Sequence, residues 1–210
     1  DGTTNHRSQP VHIGDDYAFV DAGEEFCLAL KTNSELWAWG YNYYGQLGIG
    51  SLENKTEPTY TGYYFRKISA GGGHALGISL SQALWTWGNN AEGQLGNGTT
   101  VNSSIPVFVG YDYIEISTGI IHSLAIMSNG RLMTWGGNAE GCLGHNLDGN
   151  QIIPVYIGKG FTQIASGSGS LHNLALKPDG TLWGWGSNIY GQLGDTGSYQ
   201  QDYPIQLGLQ

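Results

Sequence analysis

The chain has 210 residues, of which only 12% are charged, against about 25% in an ordinary globular domain. Its formal net charge is −9, and its few basic residues are scattered, which argues against a nucleic-acid-binding surface. Aromatic residues reach 12% and no stretch is apolar for long enough to span a membrane, so the composition indicates a folded, non-spanning protein.

Acidic residues are concentrated near the start of the chain. The simpler interpretation is a solvated rim, and the alternative is a patch that meets a basic partner. The residues concerned are Asp15, Asp16, Asp21, Glu24 and Glu25.

Regularly spaced prolines reveal an internal repeat. A fixed period of about 20–50 residues indicates a repeat architecture. We therefore interpret residues 1–210 as a single repeat array, with units at approximately 10–57, 58–105, 106–153 and 154–203, and partial units at 1–9 and 204–210. The prolines follow one another in steps of 48, 48, 48 and 50 residues: Pro10, Pro58, Pro106, Pro154 and Pro204.

Each unit contains four short apolar segments with the two-residue alternation of β-strands. In the third unit, the Asn129-Gly130 turn between two such segments is a strong hairpin signal. Leu124 and Ile126 fall on one face of the strand before this turn. The four strands predicted for this unit are 106–109, 113–117, 122–126 and 131–135.

A tryptophan closes the last of these strands in every unit. Repeated antiparallel strands with large aromatic residues between the units predict an all-β fold of four-stranded β-propeller blades. We expect the tryptophans to lie between blades, and the first and last blades each to leave one apolar face uncovered. The tryptophans are Trp39, Trp87, Trp135 and Trp185.

The second unit carries the motifs that identify a family. Ala70-Gly71-Gly72-Gly73-His74, then Leu84-Trp85-Thr86-Trp87-Gly88, then Gly93-Gln94-Leu95-Gly96 resembles the regulator-of-chromosome-condensation repeat. The resemblance recurs in four units, with departures at Phe26, in the histidine slot, and at Cys142, in the glutamine slot. It implies a seven-bladed propeller. We therefore expect these four units to be part of a larger or an oligomeric propeller, with further blades or other copies of the chain as neighbours.

Three histidines share one repeat position: His74, His122 and His172. A ring of imidazoles could hold a metal ion. The alternative is that each histidine packs under its blade and forms hydrogen bonds with backbone groups that the glycine-rich bend leaves unpaired. We favour the second interpretation, because the same slot recurs in every unit and Phe26 replaces it once. We predict no metal and no cofactor.

No arrangement in the sequence indicates catalysis. Glu92 and Glu140 occupy the same repeat position, so a paired-carboxylate role would be coincidental. The segment Asp148-Gly149-Asn150 is too short a ligand set for calcium. Cys27 and Cys142 lie at different repeat positions, so we expect no disulfide between them. We predict that the protein is not an enzyme.

Tyrosines that break the repeat are the candidates for binding. Propeller loops carry function on a rigid scaffold, and tyrosine is favoured at interfaces. The sequence also allows several of these residues to be blade packing. The candidate binding residues are Tyr41, Tyr43, Tyr44, Tyr63, Tyr64, Tyr190 and Tyr199.

The predicted function is a non-enzymatic interaction module, a scaffold or ligand-binding propeller that uses its loop faces. Its expected partner is a protein, or else a glycan, but not a nucleic acid. One alternative, which the resemblance implies, is a guanine-nucleotide exchange factor for a small GTPase. Another is a self-assembling or adhesive extracellular repeat protein. Low lysine content with abundant Asn, Gly, Ser, Thr and Tyr slightly favours a secreted protein over a cytoplasmic one.

Overall fold

The computed structural model describes residues 1–147, 149–194 and 197–208. This part of the chain contains sixteen strands in four antiparallel sheets of four. The first sheet comprises β1 (Tyr17–Ala22), β2 (Phe26–Lys31), β3 (Glu35–Gly40) and β4 (Lys55–Tyr64); the second, β5 (Lys67–Ala70), β6 (His74–Ile78), β7 (Leu84–Gly88) and β8 (Ser103–Gly110). The third comprises β9 (Tyr113–Thr118), β10 (His122–Met127), β11 (Arg131–Gly136) and β12 (Gln151–Lys159); the fourth, β13 (Gln163–Ala165), β14 (His172–Leu176), β15 (Leu182–Ser187) and β16 (Gln200–Gln206).

The predicted fold class is confirmed: each sheet is a four-stranded antiparallel blade, and the helical content described is a single 3-10 turn at Ala139–Gly141. The blades are offset from the repeat units that the prolines mark. Thr86 of β7 pairs with Val107 of β8, so the proline-containing strand closes the blade of the preceding unit. Residues 10–14 form no strand, whereas the prolines of the later units lie in strands.

Three separate hydrophobic cores lie between successive sheets. The core between the first and second sheets combines Leu28 and Leu36 with Ala75 and Trp87. Leu76, the neighbour of Ala75 on β6, belongs instead to the core between the second and third sheets. The third core lies between the third and fourth sheets. Alternation along each inner strand thus sends successive side chains to opposite neighbours, which is why both faces of a middle blade are apolar.

Each interblade tryptophan is fixed by one hydrogen bond to the preceding blade. The Nε1 atom of Trp135 donates to the carbonyl oxygen of Gln94 over 2.9 Å, and Trp87 donates to Gln46 in the same way. Gly96 lies against the indole: a Cβ there would fall 2.6 Å from Nε1 of Trp135, and its φ of +65° also favours glycine. The Gly-Gln-Leu-Gly segment is therefore the socket for the next blade's tryptophan.

Among the described residues, no sheet packs against the two outermost blade faces. On the first sheet Val20 is 64% exposed, whereas Ile68, its counterpart one repeat later, is 2% exposed. Trp39 shares this uncovered face, is only half-buried, and has no hydrogen-bond acceptor for Nε1 among the described residues. On the fourth sheet Leu182 is partly exposed, while the equivalent Leu84 is fully buried. We call these surfaces the leading face and the trailing face.

The loops divide between two sides of the blade array. Because the strands alternate in direction, the β1–β2 and β3–β4 loops emerge on one side and the short β2–β3 turn on the other. The first side also carries the corresponding loops of the other three blades. It contains the long Trp-Gly to Gly-Gln-Leu-Gly segments, and we call it the long-loop face.

Candidate functional site

The β3–β4 loop is held in shape by two side chains that recur in the repeat. Asn42 Oδ1 accepts a hydrogen bond from the backbone N–H of Leu47, and its Nδ2 donates to the carbonyls of Ser51 and Glu53. Gln46 Oε1 accepts from the N–H of Tyr44 over 3.0 Å. These two residues satisfy backbone groups that would otherwise be unpaired, so the loop is fixed without the tyrosine side chains.

Three tyrosines of this loop form a cluster on the long-loop face. The rings of Tyr41 and Tyr43 are nearly parallel, with centroids 6.3 Å apart and 14° between their planes. Tyr44 stands edge-on to both, at 83° and 85°. Tyr43 is 64% exposed, while Tyr41 and Tyr44 are half-buried. The cluster therefore presents aromatic surface outward from a fixed base.

A cavity of about 310 Å³ lies beside this cluster. Tyr41 and Tyr44 form one wall, and Glu24 and Glu25 of the β1–β2 loop form another. The backbone connects the two loops directly, since the N–H of Tyr41 donates to the carbonyl of Glu25 over 2.9 Å. The β5–β6 loop of the second blade and the β9–β10 loop of the third, which are equivalent to the β1–β2 loop, also line the cavity. The cavity therefore spans three blades.

The carboxylates at this cavity have no basic partner. Within the described ranges, neither Glu24 nor Glu25 forms an ion pair. Lys55, which lines a neighbouring cavity with Glu25 and Tyr41, is instead paired with Glu53 over 3.1 Å. Partial desolvation raises the pKa of the Tyr41 hydroxyl, and the adjacent Tyr44, Glu25 and Tyr43 raise it further. The site therefore combines aromatic rings with two carboxylates that pair with no basic side chain of the described residues.

The other predicted binding tyrosines lie elsewhere. Tyr64 pairs with Glu35 at the end of β4 opposite the long loops, so Tyr63 and Tyr64 do not belong to the long-loop face. Tyr63 packs against the first core, and Tyr64 is half-exposed. Tyr190 and Tyr199 lie on the long-loop face of the fourth blade, at 92% and 80% exposure. The structure thus brings together only three of the seven predicted tyrosines.

The histidines are placed between blades rather than around a common centre. Nε2 of His74 lies 2.9 Å from Ser123 Oγ, and Nε2 of His122 lies 2.7 Å from Asn173 Oδ1. Both histidines are fully buried, whereas His172 is half-buried. Burial lowers the pKa of His74 to about 3, with a further contribution from His122. Burial likewise lowers the pKa of His122 to about 4. Both imidazoles are therefore neutral in the folded chain at pH 7.

The remaining candidates for chemistry do not come together in one group among the described residues. Cys142 is buried, its thiol donates to the carbonyl of Gly137, and burial raises its pKa to about 12. Cys27 is also a free thiol. Glu92 accepts a hydrogen bond from Asn150. Asp148, the first residue of the segment considered for calcium, lies outside the described residues. The described part of the chain holds no group of three or more metal-ligating side chains, and none of its helices could cross a bilayer.

Sequence reasoning had located the two glutamates but not their neighbours. Glu24 and Glu25 stand where the second blade has Gly72-Gly73 and the third has Ile120-Ile121. This departure from the repeat was the available signal. That they face Tyr41 and Tyr44 follows only from the proximity of the β1–β2 and β3–β4 loops in the folded blade.

Stacked four-stranded blades, joined by a tryptophan in a glycine-lined socket and carrying their long loops on one side, define a β-propeller repeat protein. The sequence profile of the regulator of chromosome condensation (RCC1) repeat matches residues 33–78, 82–126, 129–176 and 179–209. A second profile of the same repeat matches residues 18–46, 65–94, 113–142 and 161–192. The chain belongs to the RCC1 repeat family.

Solved structures of similar fold cover nearly the whole chain. Human WBSCR16 superimposes with a TM-score of 0.85 at 23% identity, covering 98% of this chain and 56% of its own. Yeast RCC1 (Prp20) bound to Kap60 gives 0.83 at 20% identity, covering 95% and 50%. Prp20p from Saccharomyces cerevisiae, described with its binding properties to Gsp1p and histones, gives 0.79 at 22%, covering 91% and 50%. The chain spans about half the length of these proteins, and at such identities the similarity establishes the fold alone.

Proposed function

We propose that the chain is a non-enzymatic protein-interaction module that binds its partner through the long-loop face. The observation that carries this proposal is the cluster of Tyr41, Tyr43 and Tyr44, held on a hydrogen-bonded loop beside two carboxylates without a basic partner. Tyrosine provides a large contact area and a polar tip at little cost in side-chain entropy, which suits it to interfaces. The Kap60 complex of yeast RCC1 (Prp20) supports a protein as the partner class.

A site-specific photo-cross-linker tests which side of the array binds. Benzoylphenylalanine would replace Tyr43 on the long-loop face or, as the control, Leu80, which is 68% exposed in a short turn on the opposite side. In cells that produce the protein, we expect Tyr43 to give a discrete adduct with one partner protein and Leu80 to give none. The partner, once purified, should bind a Tyr43→Ala variant more weakly. Adducts at Leu80 alone, or the same adducts at both positions, would contradict the proposal.

The leading face favours a second role, association with another blade of the same kind. It exposes Val20 and the half-buried Trp39 around an apolar cavity of about 460 Å³. In the second blade, the residues at the same two repeat positions are buried against the first blade. Exposed apolar surface of this kind marks interaction sites. We propose that the trailing face of a further blade, or of a second copy of the chain, covers it and supplies a carbonyl for Trp39.

Light scattering and a hydrophobic dye test this association. We expect the chain expressed alone to self-associate or to bind the dye, because both outer faces are apolar. Val20→Lys should reduce that behaviour. Leu80→Lys, an equally exposed control in the β6–β7 turn and on neither outer blade face, should leave it unchanged. A dye-negative monomer in the parent protein would rule the association out.

A further inference from the structure

We infer that the cavity beside the tyrosine cluster takes a basic side chain, an arginine or a lysine, from the protein partner. The inference rests on the proposed function, since it specifies what the long-loop face recognises. Its basis is the combination of aromatic rings, carboxylates and an apolar wall around one open space of about 310 Å³.

The aromatic wall has the geometry that attracts organic cations. Tyr44 stands at 83° to Tyr41, so their rings expose surfaces in two nearly perpendicular directions. A cation within about 6 Å of a ring centroid is attracted by the negative face of the ring. Arginine also stacks on such rings through its planar guanidinium. The third ring, Tyr43, packs edge-on against Tyr44 at 5.2 Å and supports it from the solvent side.

The acidic wall provides charge that nothing in the described chain neutralises. Glu24 and Glu25 are exposed, lie next to each other, and form no ion pair within the described residues. The net charge of −9 adds to the negative potential at the cavity. Two carboxylates at one cavity repel an anionic ligand and attract a cation. Charge complementarity therefore selects a basic ligand over an acidic or neutral one.

The apolar wall suits the aliphatic stem of a long basic side chain. Ile120 and Ile121 of the third blade also line the cavity. Lysine and arginine bury their methylene stems along apolar surface and keep the charged end near polar groups. The space stays open because Gly73 has no side chain: a Cβ there would come within 3.2 Å of the Tyr44 ring.

The arrangement is unique to the first blade within the described chain. Tyr190 occupies the repeat slot of Tyr44 in the fourth blade and is 92% exposed. The inner loop of that blade, residues 166–171, contains no acidic residue. Tyr190 is therefore a matched control: the same residue type in the same slot, without the carboxylates.

Short peptides test the inference directly. The probes are acetyl-Gly-Arg-Gly-amide, its lysine counterpart, and its citrulline counterpart, which keeps the shape of arginine without the charge. Binding is followed as chemical-shift changes of isotope-labelled protein, up to about 10 mM peptide, tenfold above the millimolar range of a single weak contact. We expect at least one cationic peptide to shift the resonances of residues 24, 25, 41 and 44, and the citrulline peptide to bind at least tenfold more weakly.

Variants assign the effect to the cavity. Glu24→Gln together with Glu25→Gln, both at exposed positions, should weaken the cationic peptide at least tenfold. Tyr44→Leu should weaken it about two- to fivefold. Tyr190→Leu should leave binding unchanged, and circular dichroism of each variant confirms that it is folded.

Three results would overturn the inference: no binding by either cationic peptide, equal binding of arginine and citrulline peptides, or unchanged binding in the double glutamine variant. The cross-linking experiment separates this from the proposed function. If Tyr43 forms an adduct with a partner protein but the cationic peptides do not bind, the proposed interaction module is retained. Only the inference that it binds a basic side chain is then rejected.

Discussion

Trp87→Ala is expected to lower the free energy of unfolding by about 3–5 kcal/mol, whereas Trp39→Ala should lower it by at most about half as much. Trp87 is fully buried between two blades, and its loss leaves a cavity and an unpaired carbonyl at Gln46. Trp39 occupies the same repeat slot on the uncovered leading face and has no such acceptor within the described chain. Position in the array, rather than residue type, sets the difference.

Chemical denaturation followed by circular dichroism measures both variants. Trp135→Ala is a second buried variant, because Trp135 is also fully buried and donates to the Gln94 carbonyl. That carbonyl also accepts from Ser123 Oγ, so the loss for Trp135→Ala should be no larger than that for Trp87→Ala. Equal losses for Trp39→Ala and Trp87→Ala would show that another surface covers the leading face under the conditions used. In that case the stability of the parent protein should also rise with its concentration.

Acid is expected to destabilise the fold through two buried histidines. In the folded chain the pKa values of His74 and His122 are about 3 and about 4, below the value of about 6.5 for an exposed histidine. At pH values between about 6.5 and these lower folded-state pKa values, the two histidines bind protons in the unfolded chain but not in the folded chain. Stability is therefore fully present above about pH 6.5 and falls as the pH is lowered towards 4. By pH 5 each histidine should remove about 2 kcal/mol, a large share of a typical stability of about 5–15 kcal/mol.

His74→Phe provides the matched variant, since Phe26 fills this slot in the first blade. The variant removes one of the two titrating groups, so its free energy of unfolding should fall less steeply between pH 6.5 and 5 than that of the parent. The difference in the free energy of unfolding between the two proteins at pH 7.5 serves as the reference. It includes any effect of phenylalanine on packing that does not depend on pH. Parallel pH profiles would refute the assignment.

The strand pattern was predictable because alternation of side chains is local. The strands predicted at 113–117 and 122–126 correspond to β9 and β10 within one residue. The offset of the blades was not predictable in the same way. The strand that contains the proline could pair with the last strand of the preceding unit or with the next strand of its own unit. A periodic sequence is compatible with both pairings. Only the register of Thr86 with Val107 decides between them.

The tyrosine site was predictable in part. Tyr41 and Tyr43 break the repeat and Tyr44 lies beside them, so the clustering of the three follows from the sequence. Tyr63 and Tyr64 break it equally, yet lie at the opposite end of the blade because β4 is ten residues long. The position of Glu24 and Glu25 beside the cavity was not predictable from the sequence, because it depends on two loops that meet only in the folded sheet.

In the β3–β4 loop, the residues that fix the backbone, Asn42 and Gln46, are different from the residues that form the exposed surface. Leu95, Leu143 and Leu193 donate to asparagines at the same position in the other blades, so this part of the loop is common to all four. The positions in between differ from blade to blade: two tyrosines in the first, alanine and glutamate in the second and third, and isoleucine and tyrosine in the fourth. Mutation at these positions can thus change what the surface recognises while the folding of the blade stays constant. A propeller built this way can acquire a new ligand one blade at a time, and the same separation makes the loop suitable for transfer of a binding surface from one blade to the next.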